Sequence, residues 1–117
     1  MENVLEINAD SWKREVLESN VLTLVDFWHK QCQWCLKLNP ILDETSKDYK
    51  GKIKFVRLNV MEKENREIAI HYGVMSTPTL IFFCKGKPVE RIMGYLSKEE
   101  LMNKLDNMLG KYGNCTK

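Results

Sequence analysis

The sequence predicts an α/β fold, on three observations. Strand and helix patterns alternate along the chain, the run from Val21 to Trp28 is apolar on both faces, and a Ser-capped amphipathic helix comes last. A strand with two apolar faces needs a layer on each side, and crossover helices supply it. The expected order is strand, helix, strand, helix, strand, helix, strand, strand, helix, with parallel crossovers first and a hairpin later.

Val4 to Ile7 reads as a short strand, followed by a helix that Asn8 or Asp10 can cap and whose Trp12, Val16 and Leu17 face one side. Val21 to Trp28 is the clearest strand, rich in β-formers. From Cys32 to about Tyr49, Cys35, Leu38, Leu42 and Tyr49 recur near helical spacing, and Pro40 bends the helix by removing a backbone hydrogen bond. Ile53 to Val60 alternates as a third strand, and Glu64 to Tyr72 is a short helix around Ile68 and Ala69. Thr79 to Cys84 and Val89 to Met93 form a hairpin across Lys85-Gly86-Lys87-Pro88. Ser97 and Glu100 make a capping box ahead of Leu101, Met102, Leu105, Met108 and Leu109, and Gly110 is expected to end that helix.

With 117 residues, 44% hydrophobic and 29% charged, the chain suits one domain, placed at residues 1–110, with a mobile tail at 111–117. The 18 basic and 16 acidic residues are dispersed, so no nucleic-acid partner is expected. Met1 to Ser11 does not resemble a signal peptide, and the longest apolar stretch, Leu80 to Cys84, is too short to span a bilayer. A soluble cytoplasmic protein without membrane association is the expectation.

The chemistry is concentrated at Cys32 and Cys35, a C-x-x-C where a strand runs into a helix. Only a thiolate attacks a disulfide, and a free thiol of pKa about 8.5 is mostly protonated at neutral pH. Unpaired N–H groups at a helix start favour the charged sulfur, and His29 and Lys30 add positive potential. Cys32 is therefore the expected nucleophile, and Cys35, one turn on, the resolving thiol. Two other readings stay open at this stage. Both cysteines could be small buried hydrophobes, or His29, Cys32 and Cys35 could offer three ligands to a metal. No second close pair completes a structural zinc site, so no metal and no cofactor is assigned.

Three separated blocks carry a resemblance that covers the chain from about Val4 to Leu109. They are Val25-Asp26-Phe27-Trp28 leading to Cys32-Gln33-Trp34-Cys35 and Pro40, then Ser76-Thr77-Pro78-Thr79-Leu80, then Gly94. In this order and spacing the chain resembles the thioredoxin family. The resemblance implies a mixed five-stranded sheet flanked by helices and a reversible Cys32–Cys35 disulfide. It implies that Asp26 is a buried carboxylate taking the proton of Cys35, which fits the cost of burying an ionised acid among Leu24, Val25, Phe27 and Trp28. It further implies a cis bond before Pro78, backbone pairing of substrate at Thr77, and a substrate path across Trp28, Gln33, Trp34 and Gly94. The partners implied are disulfide-containing protein substrates and a thioredoxin reductase as electron donor, with the chain as a monomer.

The leading function is a protein-disulfide reductase. Oxidase, isomerase or glutaredoxin-like activity on the same fold, and a non-enzymatic binding or cluster-carrying module, are the alternatives. Gln33-Trp34 replaces the family's usual Gly-Pro, and Gln31 its tryptophan before the first cysteine, which is expected to make the potential less reducing. Arg57 stands where the family often has lysine, either biasing Asp26 toward ionisation or simply solvated. Cys84 is expected as an inert core cysteine, and Cys115 as an accessible free thiol on the tail. His71 reads as packing or surface.

Overall fold

A computed structural model describes residues 3–115 of the chain. Five strands form one mixed sheet in the order β1-β3-β2-β4-β5, where β1 is Val4–Ile7, β2 Leu22–Trp28, β3 Ile53–Asn59, β4 Thr79–Cys84 and β5 Lys87–Met93. β1, β3 and β2 run parallel, while β4 and β5 are antiparallel to their neighbours. Helix α1, Ala9–Trp12, continues into a π-helical turn at Lys13–Leu17. The others are α2, Gln33–Ser46 with a 3-10 turn at Lys47–Tyr49, α3, Lys63–His71, and α4, Lys98–Tyr112. No described helix is long and apolar enough to cross a membrane.

Every residue of β2 is buried, as its two apolar faces require. Strand alternation divides them. Leu22 and Leu24 join Leu38, Leu42, Leu101 and Leu105 in the core under α2 and α4. Val25 and Phe27 join Trp12, Val16 and Ala69 in the core under α1 and α3. Asp26 shares the α2 face with Leu22 and Leu24, and this places an acid beneath the helix that carries the cysteines.

Asn8 caps α1 reciprocally with Ser11, and Ser97 and Glu100 form the expected capping box on α4. The hairpin is tighter than its sequence suggests. Its turn is Lys85-Gly86 alone, with φ of 55° and 81°, and β5 already contains Pro88. Pro88 is tolerated because β5 is an edge strand and the pairing is irregular beside its partner Phe83.

The expectations for the C-terminus are corrected. α4 runs through Gly110 to Tyr112, because Gly110 keeps a helical rather than a left-handed backbone and the extra turn carries Tyr112 against the core. That packing outweighs the ~1 kcal/mol that glycine costs a helix. Cys115 is no accessible thiol either. It is 1% exposed and disulfide-bonded to Cys84, with Cα atoms 5.2 Å apart. Only residues 116 and 117 of the expected tail lie outside the described residues.

Candidate functional site

The site begins where β2 ends. His29 Nδ1 accepts from the backbone N–H of Gln31 at 3.2 Å, and Cys32 N–H donates to His29 O at 3.3 Å, so the chain turns within three residues. Cys32 then occupies the N-cap of α2, and its Sγ accepts the N–H of Cys35 at 3.1 Å. A sulfur in that position faces the positive end of the helix, which favours its thiolate when the pair is reduced. Cys32 and Cys35 are disulfide-bonded, their Cα atoms 5.2 Å apart. Their exposure differs: Cys32 is half-buried, and Cys35 is 0% exposed.

Beneath them runs a row of side chains in register across the sheet. Glu6 on β1 pairs with Arg57 on β3, Arg57 with Asp26 on β2, and Asp26 with Leu80 on β4. Asp26 is 1% exposed, and Arg57 Nε donates to its Oδ2 at 3.4 Å. Arg57 is thus buried rather than solvated, and its Nη2 donates to Asn39 O at 3.4 Å and to Asp43 Oδ1 at 3.2 Å on α2. Burial pushes the Asp26 carboxyl up to about 7, against the opposing pull of Arg57 and with the help of Glu6 and Asp43. An acid with that affinity exchanges protons near neutrality.

The remaining sequence-predicted residues lie at the end of β2, at the start of α2, just before β4 and just after β5, with unequal exposure. The Thr77–Pro78 bond is cis, and Gly94 N–H donates to Pro78 O at 2.9 Å, which ties the second and third blocks together. Gly94 has φ of 94°, a conformation glycine adopts without strain. Gln33 is exposed and Trp34 is 54% exposed. Trp28 is only 9% exposed, its Nε1 donating to Glu6 Oε2 at 3.3 Å. A hollow of about 310 Å³ opens beside Thr77, with His29, Met61, Ile70 and Met75 in its wall.

Two groups of residues in the site escaped the sequence reading. Tyr95 stands with its ring 5.4 Å from that of Trp34, and Lys37 Nζ lies 4.5 Å over the Trp34 ring. Lys37 is three residues past Trp34 on the same helix, a spacing that could have signalled the contact; Tyr95 had only its place after Gly94. Asn39 and Asp43 reach the buried row from α2, and nothing in their spacing singles them out.

A family model described as Thioredoxin matches residues 3–107. Thioredoxin 1 of Nostoc sp. is 38% identical over 109 residues, covering 93% of this chain and 100% of its own length. Thioredoxin of Rickettsia felis is 40% identical over 97 residues, 83% of this chain and 90% of that protein. The chloroplastic M-type thioredoxin of Spinacia oleracea is 38% identical over 109 residues, and there the chain spans only 59% of the relative's length. A half-buried sulfur at a helix start with a buried one behind it suits dithiol exchange, and with these matches the chain belongs to the thioredoxin family of thiol-disulfide oxidoreductases.

Proposed function

We propose that the chain reduces protein disulfides, with Cys32 as attacking sulfur, Cys35 as resolving sulfur and Asp26 as the base for Cys35. The observation that carries the assignment is the difference in exposure across the pair: only Cys32 can meet an incoming disulfide. In the reduced protein the Cys32 thiolate attacks one sulfur of the substrate disulfide, forming a mixed disulfide and expelling the first substrate thiolate. Cys35 yields its proton to Asp26 and attacks Cys32, which closes the Cys32–Cys35 bond and releases the second substrate thiolate. Two electrons pass to the substrate, and both leaving sulfurs end as thiols.

Substrate backbone is proposed to pair at Thr77, beside cis-Pro78, and to lie across Trp28, Gln33, Trp34 and Gly94. The hollow beside Thr77 gives a flanking side chain room. A thioredoxin reductase is the proposed electron donor, with the protein acting as a monomer in a cytoplasmic setting that suits the reactive dithiol and in which the Cys84–Cys115 bond is the exception. Exchange of Gly-Pro for Gln33-Trp34 is proposed to make the pair less reducing.

Turnover of a protein disulfide with excess dithiothreitol tests the activity. The wild type is expected to accelerate reduction and Cys32→Ser to abolish the acceleration; no acceleration by the wild type overturns the reading.

A further inference from the structure

Asn39 lies on α2 one turn beyond Cys35, half-buried. One terminus of its side-chain amide is 3.1 Å from Cys35 O and 3.2 Å from Asp26 Oδ2, and both of those atoms are acceptors. Only the amide nitrogen fits there, since the oxygen would set lone pairs against lone pairs. Asn39 Nδ2 therefore donates to both, and joins the backbone of the resolving cysteine to the buried acid.

This makes the two oxygens of Asp26 unequal. Oδ2 is held by Asn39 at 3.2 Å and by Arg57 Nε at 3.4 Å. Oδ1 is fully buried and has no hydrogen-bond partner among the described residues. Negative charge gathers on the oxygen that two donors hold, and a proton binds the other without displacing either donor.

We propose that Asn39 is a positioning residue for the proton step: it pins Oδ2 of Asp26, so that Oδ1 is the atom that takes and returns the proton exchanged with Cys35. The inference rests on the assignment of Asp26 as base. It assigns a neutral tuning group where the surroundings are otherwise charged or apolar. Arg57 faces Asp26 from β3, Glu6 from β1 and Asp43 from α2, while β4 presents Leu80. Arg57 is shared with Asp43 and Asn39 O, so its hold on Asp26 is divided. The Asn39 amide is committed to Asp26 and Cys35, and moves with the helix that carries the thiols.

The test is Asn39→Leu, which removes the donor at nearly constant volume, with Asn39→Ala as the second variant should the first not fold. Two quantities are read: the Asp26 carboxyl titration in the oxidised protein by carbon-13 NMR, and the pH profile of disulfide reduction. A lost donor to the carboxylate raises proton affinity, so both midpoints are expected to move up by about one pH unit. An unmoved or downward carboxyl titration overturns the role of Asn39, and leaves Asp26 as base if Asp26→Asn still abolishes the inflection in the profile. A profile whose inflection survives in Asp26→Asn overturns the assignment of Asp26 itself, and with it the proton step that Asn39 serves.

Discussion

Asp26 sits where an acid is costly, and the cost has a pH signature. The folded protein holds its proton up to about pH 7, whereas the ordinary carboxyl value is 3.8. Between these values the folded state binds more protons than the unfolded one, so the stability that the protonated acid allows is complete below about pH 4 and is lost as pH rises through about 7. Asp26→Asn removes the penalty, and the oxidised variant is expected to exceed the wild type by up to about 4 kcal/mol at pH 8, less what Arg57 loses, with the gain vanishing near pH 4. Denaturant unfolding at both pH values checks this; equal stabilities at pH 8 contradict it. The residue itself was legible in the sequence as an acid inside an apolar strand. Its face was not, because alternation groups Asp26 with Leu22 and Leu24 but only tertiary packing says that this group lies under α2. Asn39 was less legible still, since its contact with Asp26 depends on how α2 is rotated over the sheet.

Among the elements, the β4–β5 hairpin shows how closely the backbone is set. A Cβ on Gly86 would stand 2.8 Å from Leu17 O, and its φ of 81° is already unfavourable for other residues. Leu17 O is backbone and cannot swing away, so Gly86→Ala is expected to cost about 2 kcal/mol or more through strain and clash together. Thermal unfolding measures it, and an unchanged midpoint rules the clash out. This glycine was legible as a turn residue, but the π-helical turn that it abuts was not, because the sequence there reads as ordinary helix. α4 was misjudged at its end for a related reason: a glycine suggests a stop only from local propensity, and the burial of Tyr112 and Cys115 is a tertiary gain. The Cys84–Cys115 bond closes a loop of sequence separation 31 and ties the end of α4 to β4. Loss of this bond in Cys115→Ser is expected to lower stability by about 3 kcal/mol under oxidising conditions. In excess reductant, which opens the bond in both proteins, the difference should largely disappear; a deficit of equal size in both conditions would assign it to packing alone.

At the scale of the molecule the two disulfides lie at opposite ends of β4. Thr79 begins that strand opposite Phe27, at the end of β2 that leads to the reactive pair, and Cys84 ends it, so roughly 17 Å of strand separates the two regions. Cys32 cannot reach Cys84 or Cys115 within one molecule, and the two pairs are expected to be reduced independently in a redox titration followed by thiol alkylation. The succession of elements, the parallel crossovers and the hairpin were legible because β2 and the capped helices carry strong local patterns. The pairing of Cys84 with Cys115 was not, because nothing local joins the end of β4 to the end of α4. What unites the molecule functionally is the assignment of one outward and one inward sulfur. Incubation of Cys35→Ser with a disulfide substrate, followed by mass spectrometry of the linked peptide, tests it most directly. A stable mixed disulfide on Cys32, absent in Cys32→Ser, is the predicted result, and substrate captured through Cys35 in Cys32→Ser would contradict the account.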